Sequence, residues 1–66
     1  MPKRSLSLKG HSTSVSLETE FWEELKRLAQ EEKSSLNALV SRIDAQRSGN
    51  LSSALRLYVL KNLKEE

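Results

Sequence analysis

Residues 12–17, Ser-Thr-Ser-Val-Ser-Leu, alternate small polar with larger or apolar side chains, the period-2 pattern of a strand with one wet and one buried face. Residues 3–8, Lys-Arg-Ser-Leu-Ser-Leu, alternate as well but in the opposite phase. Leu6 and Leu8 fall at even positions, whereas Val15 and Leu17 fall at odd ones. A continuous strand would put those leucines on the face shared by Ser12, Ser14 and Ser16, so the phase must reset between them. Lys9-Gly10-His11 is the natural place, because glycine admits the backbone of a bulge or turn at little steric cost. Residues 1–10 are therefore read as a basic N-terminal arm, extended in part, and 11–66 as the domain proper. One short strand cannot form a sheet alone. With no obvious second full-length strand in the chain, the same strand of another copy is the simplest partner.

After Leu17 the period lengthens to that of helices. Phe21, Trp22, Leu25, Leu28 and Ala29 follow the i, i+3, i+4, i+7 rule and predict a first helix from about Thr19 to Glu32. Glu18, Glu20, Glu23 and Glu24 load its start with negative charge, favourable at the positive end of the helix dipole. Either Glu18 or Thr19 can cap it. Lys33-Ser34-Ser35 breaks the pattern, and Ser35 or Ser34 caps a second helix from Leu36 to about Gln46, with Leu36, Leu39, Val40 and Ile43 at helical spacing. Arg47-Ser48-Gly49-Asn50 reads as a turn, and Asn50 or Ser52 starts a third helix running to about Leu63. The apolar residues of that helix, Leu51, Ala54, Leu55, Leu57, Tyr58, Val59, Leu60 and Leu63, cover more than one face. Two buried surfaces are implied, one toward its own chain and one toward a partner.

Composition narrows the choices. Sixty-six residues make one domain with a marginal core, and without cysteine neither a disulfide nor a thiolate metal site can reinforce it, so association is the expected staple. At 36% apolar, with no run long enough to span a bilayer and no apolar stretch after the basic start, the chain reads as a cytoplasmic protein. Charge is segregated. Residues 1–17 carry Lys3, Arg4 and Lys9 and no acid, residues 18–32 carry six Glu against Lys26 and Arg27, and residues 33–64 carry six basic residues against Asp44. A basic strand region is the electrostatic footprint of a nucleic-acid contact or simply a solvated tail.

Catalysis finds no material: one His, one Asp, no Cys and no glycine-rich phosphate loop. No cofactor or metal is called for. Binding finds more. Ser12, Ser14 and Ser16 share the outer face of the strand, serine hydroxyls can donate or accept at base edges, and a two-stranded antiparallel ribbon fits the DNA major groove. The second helix has few acids near its start, and a helix N-terminus of that kind can receive a phosphate.

A short Thr-Ser-Val-Ser-Leu strand, an acid-capped helix carrying Phe-Trp-x-x-Leu-x-x-Leu-Ala and a Ser-capped Ser-Leu-Asn-Ala-Leu-Val helix follow in that order. Together they resemble the ribbon-helix-helix superfamily, to which the Arc and MetJ repressors belong. The stretches Gly10–Trp22 and Gly49–Leu57 are most similar to short bacterial ribbon-helix-helix domain proteins. The resemblance implies a mostly helical α+β fold and an intertwined homodimer built on a two-stranded intermolecular ribbon. It implies a dimer core of Val15, Leu17, Phe21, Trp22, Leu25, Leu28, Leu36, Leu39, Val40 and Ile43. It implies transcriptional regulation through double-stranded DNA, with Ser12, Ser14 and Ser16 facing bases and phosphate anchored near Ser34 and Ser35. Such ribbons usually carry a basic or long polar residue where this chain has Ser12, so Lys3, Arg4, Lys9 and His11 are expected to add phosphate or groove contacts. Lys33 stands where the family commonly has glycine, which asks that residue to take a left-handed turn. The third helix goes beyond the minimal fold and is expected to enlarge the dimer, build a tetramer or take a protein partner. In the alternative reading it is the functional surface of a protein-interaction module or antitoxin-like binder.

Overall fold

The computed structural model describes residues 2–8, 10–47 and 49–63. Two strands precede three helices: β1 (Lys3–Leu8), β2 (His11–Ser16), α1 (Thr19–Glu31), α2 (Leu36–Gln46) and α3 (Leu51–Leu63). The strands form an antiparallel ribbon, and the three helices pack against one another beneath it.

The ribbon in this structure is made within one chain, where β2 pairs with a strand that the sequence reading did not count, β1. Residues 3–8 are not a free arm; they are β1, paired Lys3 with Ser16, Ser5 with Ser14 and Ser7 with Ser12. The physical reason lies in the phase reset. Directly opposed residues in an antiparallel pair share a face. Two strands joined by two residues pair even positions with odd ones, so the opposite phases of β1 and β2 bring Leu6, Leu8 and Val15 to the same side. Gly10, at φ +84°, supplies the left-handed backbone that the reversal needs. The start of the chain is held in register by the Leu17 N–H, which donates to the Pro2 carbonyl at 3.1 Å, and by the Trp22 indole N–H, which donates to the same oxygen at 3.3 Å.

The core lies between the ribbon and the helices. Val15, Leu17, Trp22, Leu25, Leu28, Leu39, Val40 and Ile43 are buried as expected, Phe21 and Leu36 are half-buried against them, and all ten pack within a single chain. β1 adds Leu6 and Leu8, α1 adds Ala29, and α3 adds Leu55 and Val59. Leu17, Leu25, Leu39 and Leu55 have no exposed surface, so each Leu→Ala change at these positions costs about 2–5 kcal/mol.

Local chemistry ends each helix where the pattern does. At the start of α1 the Glu18 carboxylate makes no capping bond and instead accepts from Arg56 of α3 at 3.1 and 3.4 Å. Its own backbone N–H, followed by Arg56, holds the carboxyl below the ordinary carboxylate range. α1 stops because Lys33 takes φ 58°, as its glycine-like position requires, while the Ser34 and Lys33 N–H groups close back onto Ala29 and Gln30. Ser35 caps α2 by accepting from the Ala38 N–H at 3.0 Å, and Asn50 caps α3 by accepting from the Ser53 N–H at 2.9 Å. Glu32 at the end of α1 is tied at the surface to the middle of α2 and of α3: it accepts from Arg42 at 2.6 Å and from the Tyr58 hydroxyl at 2.8 Å. Arg42, then Tyr58, pulls the Glu32 carboxyl below its ordinary range, and partial burial, then Glu32, pushes the Tyr58 phenol up.

Two outcomes follow from this packing. Leu55→Ala removes a fully enclosed side chain and should lower unfolding free energy by about 2–5 kcal/mol in urea titration, whereas Leu60→Ala, at an exposed position, should change it by less than about 0.5 kcal/mol. Equal effects would contradict the placement of α3. Glu18 and Glu32, with folded pKa values depressed, stabilise the fold at neutral pH, and that contribution is lost as pH falls through the carboxylate range. The melting temperature should therefore drop on acidification, and less steeply in a Glu18→Gln/Glu32→Gln double variant that starts lower at neutral pH.

Candidate nucleic-acid interface

The ribbon has two unlike faces because both strands alternate in step with the pairing. Arg4, Leu6, Leu8, His11, Thr13 and Val15 occupy the helix-facing side. Lys3, Ser5 and Ser7 of β1 stand opposite Ser16, Ser14 and Ser12 of β2 on the other side, and all but half-buried Ser16 are exposed. The outer face thus holds five hydroxyls and one ammonium, with no acid and no apolar side chain. Ser12, Ser14 and Ser16 are brought together as expected. Ser5 and Ser7 were missed by sequence reasoning, although the opposite phase of β1 across a two-residue gap containing glycine was the signal that could have found them.

The basic residues separate. Lys3 lies on the outer face beside Ser16. Arg4 lies on the opposite side, its guanidinium 5.6 Å from the centre of the Trp22 ring, where a cation–π contact holds it as a cover for the core. His11 is exposed at the helix-facing end of β2. Lys9, the remaining basic candidate, lies outside the described residues. Lys3, Arg4 and His11 therefore do not form one basic cluster.

The two edges of the ribbon also differ. The Leu17-to-Pro2 bond sets which backbone groups point inward, so those of Ser12, Ser14 and Ser16 on β2, and of Lys3, Ser5 and Ser7 on β1, point away from the partner strand. At β1 the first turn of α2 covers part of this edge: the Ser7 N–H donates to the Asn37 amide oxygen at 3.2 Å and the Asn37 amide nitrogen donates to the Ser7 carbonyl at 2.6 Å. Asn37 thus imitates a neighbouring strand at one residue. At β2 only the Ser16 carbonyl is engaged among the described residues, by the Ser52 hydroxyl at 3.4 Å. Beside this open edge runs a groove of 410 Å³ between β2 and the α2–α3 junction, lined in part by His11, Ser14, Arg47, Asn50 and Ser52. Arg47 is already paired with Asp44 at 2.5 Å and also donates to the Gly49 carbonyl.

The start of α2 sits on the β1 flank through Asn37. No acid occupies its first turn, and the N–H groups of Leu36 and Asn37 have no partner among the described residues. The Ser35 hydroxyl is spent on the cap, and the Ser34 hydroxyl is enclosed without a hydrogen-bond partner among the described residues. Ser34 and Ser35 therefore lie beside the ribbon, on its flank and not on its outer face.

A two-stranded ribbon with one polar face, laid on a helix pair joined by a tight turn, defines a ribbon-helix-helix domain. The chain belongs to that family: the ribbon-helix-helix domain matches residues 1–63 of its 66. Domains of this family are generally DNA-binding transcription regulators and are typically not enzymes. No similar curated protein and no similar solved structure is matched. Among the described residues no helix is long and apolar enough to cross a membrane, and no group of three or more potential metal ligands gathers.

Proposed function

We propose that this protein is a homodimeric, sequence-reading DNA-binding regulator that works in the cytoplasm on the nucleoid and meets the major groove with the serine face of its ribbon. The observation that carries the reading is the outer face itself: Ser12, Ser14 and Ser16 aligned with Ser5, Ser7 and Lys3, without a carboxylate to repel phosphate. Hydroxyls serve either donor or acceptor positions on base edges, and a ribbon of this width enters the groove.

The open edge of β2 favours the dimer. Its outward backbone groups belong to Ser12, Ser14 and Ser16, and once the Ser16 carbonyl exchanges its long bond from Ser52 for one across the seam, two copies can pair antiparallel about a two-fold axis at Ser14, Ser12 of one chain opposite Ser16 of the other. That pairing keeps all six β2 serines on one face and fills the groove beside the strand. It also answers the general hazard of an exposed strand edge. Phosphates at the start of α2 would meet the Leu36 and Asn37 N–H groups.

A second reading rests on α3. Leu57, Leu60 and Leu63 are 55%, 47% and 41% exposed, an apolar strip that DNA contact does not use. In that reading the fold is kept and α3 takes a protein partner.

The two separate in a binding titration. Duplex fragments should bind with an affinity that falls linearly on a log–log plot against salt, as released counterions require. Ser14→Ala/Ser16→Ala should weaken that binding while the sedimentation mass stays that of wild type, and Leu57→Ser/Leu60→Ser should leave it unchanged. Wild-type protein that binds no duplex, or binds it independently of salt, would falsify the DNA reading and favour the α3 surface.

A further inference from the structure

We propose that β1 is a phosphate-contacting strand, so that the two strands of each chain divide the work: Ser12, Ser14 and Ser16 of β2 meet base edges, while Lys3, Ser5 and Ser7 of β1 hold the sugar-phosphate backbone. This rests on the dimeric DNA-binding reading above. If β2 pairs with β2 of a second copy, the sheet order becomes β1-β2-β2-β1, with the β1 strands outermost. Neighbouring strands lie about 4.8 Å apart, so the two β1 strands are about 14 Å apart and the two β2 strands about 4.8 Å. The major groove is about 12 Å wide. The central pair fits inside it and the full sheet does not, which leaves each β1 over one wall of the groove, where the phosphates run.

What β1 presents there suits phosphate and not base recognition. Lys3 offers an ammonium, Ser5 and Ser7 offer hydroxyls, and all three are exposed on the outer face. The backbone N–H groups of Lys3 and Ser5 point off the free edge, whereas that of Ser7 is held by Asn37. Hydroxyls, ammonium groups and backbone N–H groups are the usual partners of phosphate oxygens, and such contacts set position without reading sequence. Asn37 also fixes how far the strand can move: by bonding both backbone groups of Ser7, it locks β1 to the first turn of α2. Arg4 cannot substitute for Lys3, because it faces the helices and lies over Trp22.

The test uses the full chain and two fluorescein-labelled duplexes, one recovered by selection from a random library and one scrambled duplex of the same composition. Anisotropy titrations at several salt concentrations give the affinity, the salt slope and the ratio between duplexes. Lys3→Gln should weaken binding to both duplexes by the same factor and reduce the salt slope by about one unit per chain. Ser5→Asp should weaken both about tenfold or more through charge repulsion, with the ratio between duplexes unchanged. Ser14→Ala should instead change the ratio and leave the slope alone. Circular dichroism melting of each variant, all at exposed positions, shows whether the fold is retained. Wild-type-like slope and affinity in Lys3→Gln, or a changed ratio in Ser5→Asp, would overturn the division of labour alone. A wild-type chain that binds neither duplex would overturn the DNA reading and this inference together.

Discussion

The pairing register of two six-residue strands is the constraint on which the rest depends. Side chains repeat every second residue along a strand, so a shift of one place would turn every leucine of β1 outward and every serine inward. The two-residue connection with Gly10 at positive φ, and the anchoring of Pro2 by Leu17 and Trp22 at the far end, fix both ends of the ribbon. That register turns Leu6, Leu8 and Val15 toward the helices and sets five serines with Lys3 on the other face. The core beneath and the interface above are two consequences of one alignment.

The same register changes how a chain of this size reaches stability. A minimal strand and two helices would leave Val15, Leu39 and Val40 short of neighbours, which is why association looked necessary. Here β1 lays Leu6 and Leu8 over one side of that cluster and α3 lays Leu55 and Val59 against another, so the core closes within a single chain. In the proposed dimer, pairing through the open β2 edge would then serve recognition and would not be required to finish the interior. Ion pairs at the surface, Arg56 with Glu18 and Arg42 with Glu32, tie α3 and α2 to the two ends of α1 but contribute modestly, since both are solvent-exposed. Apolar burial carries the fold.

Much of this was legible in the residues. The spacing of Trp22, Leu25, Leu28 and Ala29, and of Leu39, Val40 and Ile43, named the buried faces of α1 and α2, and Ser35 and Lys33 marked their boundaries. The strand at Ser12–Ser16 and its serine face were equally clear. Residues 3–8 read as part of an arm along the sequence, and the structure pairs them as β1. A hairpin is a relation between two segments, and no window along one segment reveals it; only the opposite parity across the glycine does. Ser5, Ser7 and the strand-mimicking Asn37 were hidden for the same reason, since Asn37 reaches Ser7 across thirty positions of sequence. The position of Arg4 over the Trp22 ring is not legible either, because its charge is local information and the ring eighteen positions on is not.

The central claim is that one chain presents a complete ribbon whose hydroxylic face is the surface that meets DNA. Chemical-shift mapping of labelled protein titrated with duplex tests it most directly. The account predicts that amide shifts concentrate on Ser5, Ser7, Ser12, Ser14 and Ser16 together, with α3 at Leu57, Leu60 and Leu63 unmoved. Shifts confined to α3, with the serine amides of both strands unchanged, would contradict it.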